Sequence, residues 1–107
     1  MSLTTKPGTI LTRFRAALDE IYGARLERVV LFGSRARGDA KPDSDYDIAV
    51  FIDGMGSFAE ESARLAAIST DILLDSEAVI SVMPFPAGAY RERTGFMHGL
   101  REDGRDL

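Results

Sequence analysis

Residues 33–47 read Gly33-Ser34-Arg35-Ala36-Arg37-Gly38-Asp39-Ala40-Lys41-Pro42-Asp43-Ser44-Asp45-Tyr46-Asp47, and what surrounds this stretch decides the fold. Immediately before it, Arg28-Val29-Val30-Leu31-Phe32 is a short apolar run rich in β-branched residues, which suits a buried strand. Its last residues run straight into Ile48-Ala49-Val50-Phe51-Ile52, so residues 45–52 read as a second buried strand, ended by Asp53-Gly54 and Gly56. Between the two, polar residues with Gly38, Pro42 and Asp43 predict a loop holding one short helical turn.

The stretch has two chemical halves. Gly33-Ser34 directly follows a strand. A glycine there lets the backbone approach a ligand, and a serine can open a turn whose free amides attract an anion. Arg35 and Arg37 add positive charge; each either touches phosphate or pairs with Asp39 or Asp43. Gly33 to Gly38 has the spacing of a Walker loop, but Asp39-Ala40 stands where Lys-Ser or Lys-Thr is essential, so that reading fails. The second half is Asp45-x-Asp47 at a strand mouth. Strand side chains alternate, so both carboxylates project to one side and Tyr46 to the other, into the core. Two close carboxylates repel unless one binds a proton or both share a cation. Mg²⁺ suits such a pair when substrate phosphates complete its shell.

Outward from this segment the chain alternates elements. Residues 9–22 predict a helix with Thr9 as N-cap, a stripe of Ile10, Phe14, Leu18 (or Ala17) and Ile21, and Gly23 as the stop. Ser57 and Glu60 form a capping-box signature ahead of a helix over about 58–73, with Phe58, Leu65, Ile68 and Ile72 on one stripe, broken at Asp75-Ser76. Residues 78–83 predict a third strand closed by Pro84 and Pro86. A last amphipathic helix is expected over about 89–102, with Tyr90, Phe96, Met97 and Leu100 apolar. The fold class is therefore α/β (α+β): one domain over 1–107, with residues 1–8 flexible and helices packed on a small mixed sheet of three or more strands.

Gly-Ser-x-Ala-x-Gly followed by Ser-Asp-x-Asp at the start of an apolar strand resembles the signature of the DNA polymerase β-type nucleotidyltransferase superfamily. The form Gly33-Ser34-Arg35-Ala36-Arg37-Gly38 resembles its minimal bacterial and archaeal members. The resemblance implies a nucleotide site at Gly33, Ser34, Arg35, Arg37 and Ser44, with Asp45 and Asp47 as the catalytic, metal-holding pair. It implies Mg²⁺ (or Mn²⁺) as cofactor and ATP or another nucleoside triphosphate as substrate. Proteins it is similar to often act as antitoxins that adenylylate a helical HEPN-type toxin, which makes such a toxin, or another protein acceptor, the expected partner. One departure stands out. Members of the superfamily usually carry a third carboxylate on the next strand, where this chain has Ser81; Glu77 and Asp75 are the nearest acids. The alternative reading is a catalytically degraded module that binds nucleotide or a partner.

Composition narrows the classes. The 107 residues are 45% hydrophobic and 28% charged, enough for one packed domain. There is no cysteine and a single histidine, His98, which excludes disulfide scaffolds, cysteine nucleophiles and Cys/His metal cages. The net charge of −4, from 13 basic and 17 acidic residues, argues against a nucleic-acid partner and for a protein one. No apolar run approaches the ~18–20 residues of a membrane span. The first residues lack the apolar segment of a signal peptide, so a cytoplasmic address is expected. An antibiotic-modifying enzyme would need a second domain to hold its acceptor; here a partner or a second copy of the chain is expected to complete the site.

Overall fold

The computed structural model describes residues 7–107, arranged in three layers. Helix α1 spans Pro7–Tyr22, a 3₁₀ turn covers Gly23–Arg25, and β1 spans Leu26–Phe32. A single helical turn, α2, covers Ser34–Arg37, followed by β2 (Tyr46–Ile52), α3 (Phe58–Ser76) and β3 (Ile80–Pro86). A second 3₁₀ segment (Ala87–Arg91), α4 (Gly95–Asp103) and the two-residue β4 (Arg105–Asp106) complete the chain. The sheet order is β3-β2-β1-β4; β2 pairs antiparallel with β1 and parallel with β3, and β4 lies antiparallel on the far side of β1. Among the described residues, no helix is long and apolar enough to cross a membrane.

β2 is central and buried on both faces, which is why its sequence is continuously apolar after Asp47. Tyr46, Ile48, Val50 and Ile52 pack against Ile10, Phe14 and Leu18 of α1 and Leu65, Ile68 and Ile72 of α3. Ala49 and Phe51 face the other way, onto Ala89, Met97 and Leu100. The helix stripes read from spacing are thus the core, with two exchanges. In α1, Tyr22 is buried and Ile21 is 47% exposed. In α3, Phe58 is exposed and Glu61 takes the buried place in its stripe. The Glu61 carboxylate is satisfied by the Tyr22 hydroxyl (3.3 Å), Arg64 (3.1 Å), the Gly56 amide (3.4 Å) and the Arg25 guanidinium (3.5 Å). A buried carboxylate with that many donors ties α1, α3 and the turn before α3 together.

Several boundaries differ from expectation. Residues 1–6 of the expected flexible stretch lie outside the described residues, whereas 7 and 8 are helical and Thr9 lies inside the first turn rather than capping it. α3 continues through Asp75 and Ser76 to a left-handed cap at Glu77 (φ 63°). β3 begins at Ile80 and runs through Pro84 and Pro86. It tolerates them because it is an edge strand, and a proline's missing N–H can face away from β2. The last helix starts only at Gly95, capped by the Thr94 hydroxyl accepting from the Met97 amide (3.1 Å); residues 87–91 form the 3₁₀ segment instead. Leu100 is core as expected, but Phe96 is 41% exposed.

Candidate active site

The first half of the site is built by backbone geometry. Gly33 ends β1 at φ 73°, ψ −157°, a conformation that is essentially reserved for glycine. Its carbonyl accepts from the amides of Ala36 and Arg37 (both 3.1 Å), which closes the turn begun by Ser34. The amides of Ser34 and Arg35 open that turn and have no intrahelical acceptor. Gly38, in the left-handed region, ends it.

The second half lies across the strand pairing. Phe32 of β1 pairs with Asp47 of β2, and Asp47 with Ser81 of β3, so the three form one row on the face that carries α4. The Asp47 carboxylate sits directly over Gly33: a Cβ on residue 33 would lie 2.5 Å from Asp47 Oδ2. The Ser81 hydroxyl donates to Asp45 Oδ2 at 3.4 Å. Gly33, Asp45, Asp47 and Ser81 thus converge. Burial, then the neighbouring Asp45 charge, hold the Asp47 carboxyl above the ordinary aspartate range, with Arg37 pulling it partly back. A group in that state gains from a cation.

The other expected residues are placed less uniformly. Arg37 pairs with Asp39 at 3.4 Å, and both side chains are about half exposed, so the pair is weak and easily exchanged for another anion. Arg35 is committed elsewhere. Its guanidinium lies over the Tyr46 ring at 4.0 Å and donates to the carbonyls of Ser44 (2.9 Å) and Pro42 (3.1 Å). Ser44 accepts from the Lys41 amide through its hydroxyl (2.9 Å), closing the turn at 41–44. Arg35 and Ser44 therefore hold the loop that delivers Asp45. Tyr46 is buried in the core, as read from alternation. Of the two acids near β3, Asp75 pairs with Arg13 of α1 at 2.7 Å and Glu77 caps α3. Among the described residues, no group of three or more acidic, histidine or cysteine side chains could hold a metal ion.

Sequence reading missed the aromatic group beside this row. Phe96 meets Phe32 edge to face (5.4 Å) and stacks on Phe85 (5.7 Å). These residues come from β1, β3 and α4, and no local pattern brings them together.

A glycine-serine turn against two strand-mouth carboxylates, on a four-stranded mixed sheet, is the arrangement of a nucleotidyl-transfer domain. The family model for the nucleotidyltransferase domain matches residues 11–93, and the chain belongs to that family. It is 32% identical over 72 residues to a protein of Methanocaldococcus jannaschii named as a putative protein adenylyltransferase, covering 67% of this chain and 72% of that one. Two solved structures share the fold. One is a mutant of the toxin–antitoxin MntA–HpeT, with a TM-score of 0.61 at 14% identity, over 95% of this chain and 72% of that chain. The other is a toxin–antitoxin with AMP-PNP, with a TM-score of 0.58 at 18% identity, over 87% and 68%.

Proposed function

We propose that the chain transfers a nucleoside monophosphate, AMP from ATP, to a hydroxyl on a protein acceptor, and that it serves as the antitoxin of a helical HEPN-type toxin. The observation that carries this reading is the Asp47 carboxylate seated over Gly33 with Asp45 beside it, an arrangement suited to holding a cation next to phosphates on the turn. The likeness to a protein adenylyltransferase and to toxin–antitoxin structures supports the choice of acceptor.

In this reading Gly33, Ser34 and Arg37 receive the triphosphate: the turn amides take phosphate oxygens, and Arg37 exchanges Asp39 for them. Arg35 and Ser44 brace the loop. Asp45 and Asp47 suit a hard divalent ion, Mg²⁺ or Mn²⁺, held jointly with the nucleotide, because two carboxylates supply too few ligands alone. Such an ion supplies charge neutralisation and alignment of the phosphates. The acceptor oxygen forms a bond to the α-phosphorus while the bond to the pyrophosphate oxygen breaks, and the hydroxyl proton leaves to solvent.

Ser81 favours a second reading, a module that binds nucleotide or a partner without turnover. It occupies the row position beside Asp47, and its neutral hydroxyl is a weak ligand and a poor base. Two measurements separate the readings. Calorimetry is expected to show ATP binding at least about tenfold tighter with Mg²⁺ than without, since phosphates and carboxylates otherwise repel; equal affinity would overturn the cation site. Mass spectrometry of a purified helical HEPN-type toxin, offered as acceptor with Mg²⁺ and ATP, is expected to show added AMP, with a faster rate for Ser81→Asp. No modification by either form, with Mg²⁺-dependent ATP binding intact, would favour the binding module.

A further inference from the structure

The row that holds Asp47 continues into a cavity. Between the Gly33–Arg37 turn and α4 lies a space of about 250 Å³ lined in part by Phe32, Gly33, Arg37, Phe96, Gly99 and Asp103. We propose that this cavity receives the base of the nucleotide, one bearing an exocyclic amine; the proposal rests on the nucleotidyl-transfer reading above.

Four observations carry it. First, Gly33 and Arg37 belong both to the turn beside Asp47 and to the cavity wall, so a ligand whose phosphates lie on the turn has its remaining part beside this opening. Second, the wall is aromatic. Phe96 stays 41% exposed while Met97 and Leu100 of the same helix are buried. Its contacts with Phe32 and Phe85 fix the ring without covering it. A held, half-exposed ring is a stacking surface for any base. Third, Gly95 and Gly99 lie one turn apart on α4, and a Cβ at either would meet nothing within 4 Å. Two glycines in a nine-residue helix lower its propensity, and here they leave the cavity open. Fourth, Asp103, an exposed acidic residue at the end of α4, is among the residues around the cavity, so its negative charge faces whatever enters there. It repels phosphate and accepts a hydrogen bond from an amine, which sets the direction of the nucleotide: triphosphate toward Gly33, base toward α4.

The test titrates the native protein, Gly99→Leu and Phe96→Ala with ATP and with inorganic tripolyphosphate, each in Mg²⁺, by calorimetry. Gly99→Leu fills the cavity and replaces a mid-helix glycine, so its melting temperature should hold or rise while the base is excluded. The native protein is expected to bind ATP at least about tenfold tighter than tripolyphosphate, and both variants to lose about tenfold in ATP affinity with tripolyphosphate unchanged. Native-like ATP binding by Gly99→Leu, or equal native affinity for ATP and tripolyphosphate, overturns the base site while leaving the phosphate site standing. A native protein that binds neither ligand in an Mg²⁺-dependent manner overturns the underlying reading together with this one.

Discussion

Asp47→Asn is expected to abolish Mg²⁺-dependent nucleotide binding and transfer while raising the melting temperature of the ligand-free protein at neutral pH. The two effects have one cause. The folded protein holds the Asp47 carboxyl above its ordinary range through burial and the adjacent Asp45 charge. A carboxyl raised on folding contributes stability that is fully present below the unfolded-state value and lost as pH rises through the folded one. At neutral pH the ionised group is therefore a cost, and a neutral, nearly isosteric amide removes it. The advantage of the variant should shrink on acidification, as the native carboxyl takes up its proton. With Mg²⁺ and ATP present the order reverses, because only the native carboxylate is rewarded by the cation, and the native protein becomes the more stable of the two. Transfer should fall on the order of a thousandfold, the loss of several kcal/mol of electrostatic support. The same titration predicts that nucleotide binding by the native protein fades on acidification at a pH above that of an ordinary aspartate. A melting temperature well below native in the ligand-free state would show instead that Asp47 is a structural residue.

Local chemistry was legible in the chain, and tertiary circumstance was not. The turn at Gly33-Ser34 and the carboxylate pair could be read because strand alternation and turn chemistry are properties of a few consecutive residues. The same holds for Ile10, Phe14 and Leu18, and for Leu65, Ile68 and Ile72, whose spacing alone places them in the core. Edge position is different. Pro84 and Pro86 read as terminators because nothing in 78–86 says that β3 has a partner on one side only. β4 is two residues long and exists because β1 offers it an edge. Glu61 completes the α3 stripe at the spacing 61, 65, 68, 72, yet a search for apolar residues passes over a carboxylate whose donors lie on other segments. In the site, Arg35 could be assigned to phosphate or to the loop, and only the folded chain sets it over Tyr46. The Phe32–Phe96–Phe85 group was out of reach for the same reason.

Gly33→Ala should separate the two demands placed on that residue, and Gly38→Ala supplies the control. Both glycines have positive φ, at 73° and 84°, so an alanine strains the backbone at either position. Gly33 lies in the region essentially closed to other residues, and its substitution is expected to cost about 1–3 kcal/mol of stability in urea denaturation, with a smaller loss at Gly38. Only at Gly33 does the new methyl meet a functional group. It would fall 2.5 Å from Asp47 Oδ2, whereas a Cβ at Gly38 meets nothing within 4 Å. The carboxylate is the end of a short side chain and can swing aside, so the clash adds little to the stability cost. It does move Asp47 off the position it shares with Asp45, and a shift of about 1 Å in such a group can cost a hundredfold in function. Gly33→Ala should therefore lose on the order of a hundredfold in Mg²⁺-dependent ATP affinity and in transfer, with both carboxylates still present. Gly38→Ala should stay within a few fold of native. Equal losses at the two positions would mean that backbone strain in the turn, and not the seat it makes for Asp47, is what the site depends on.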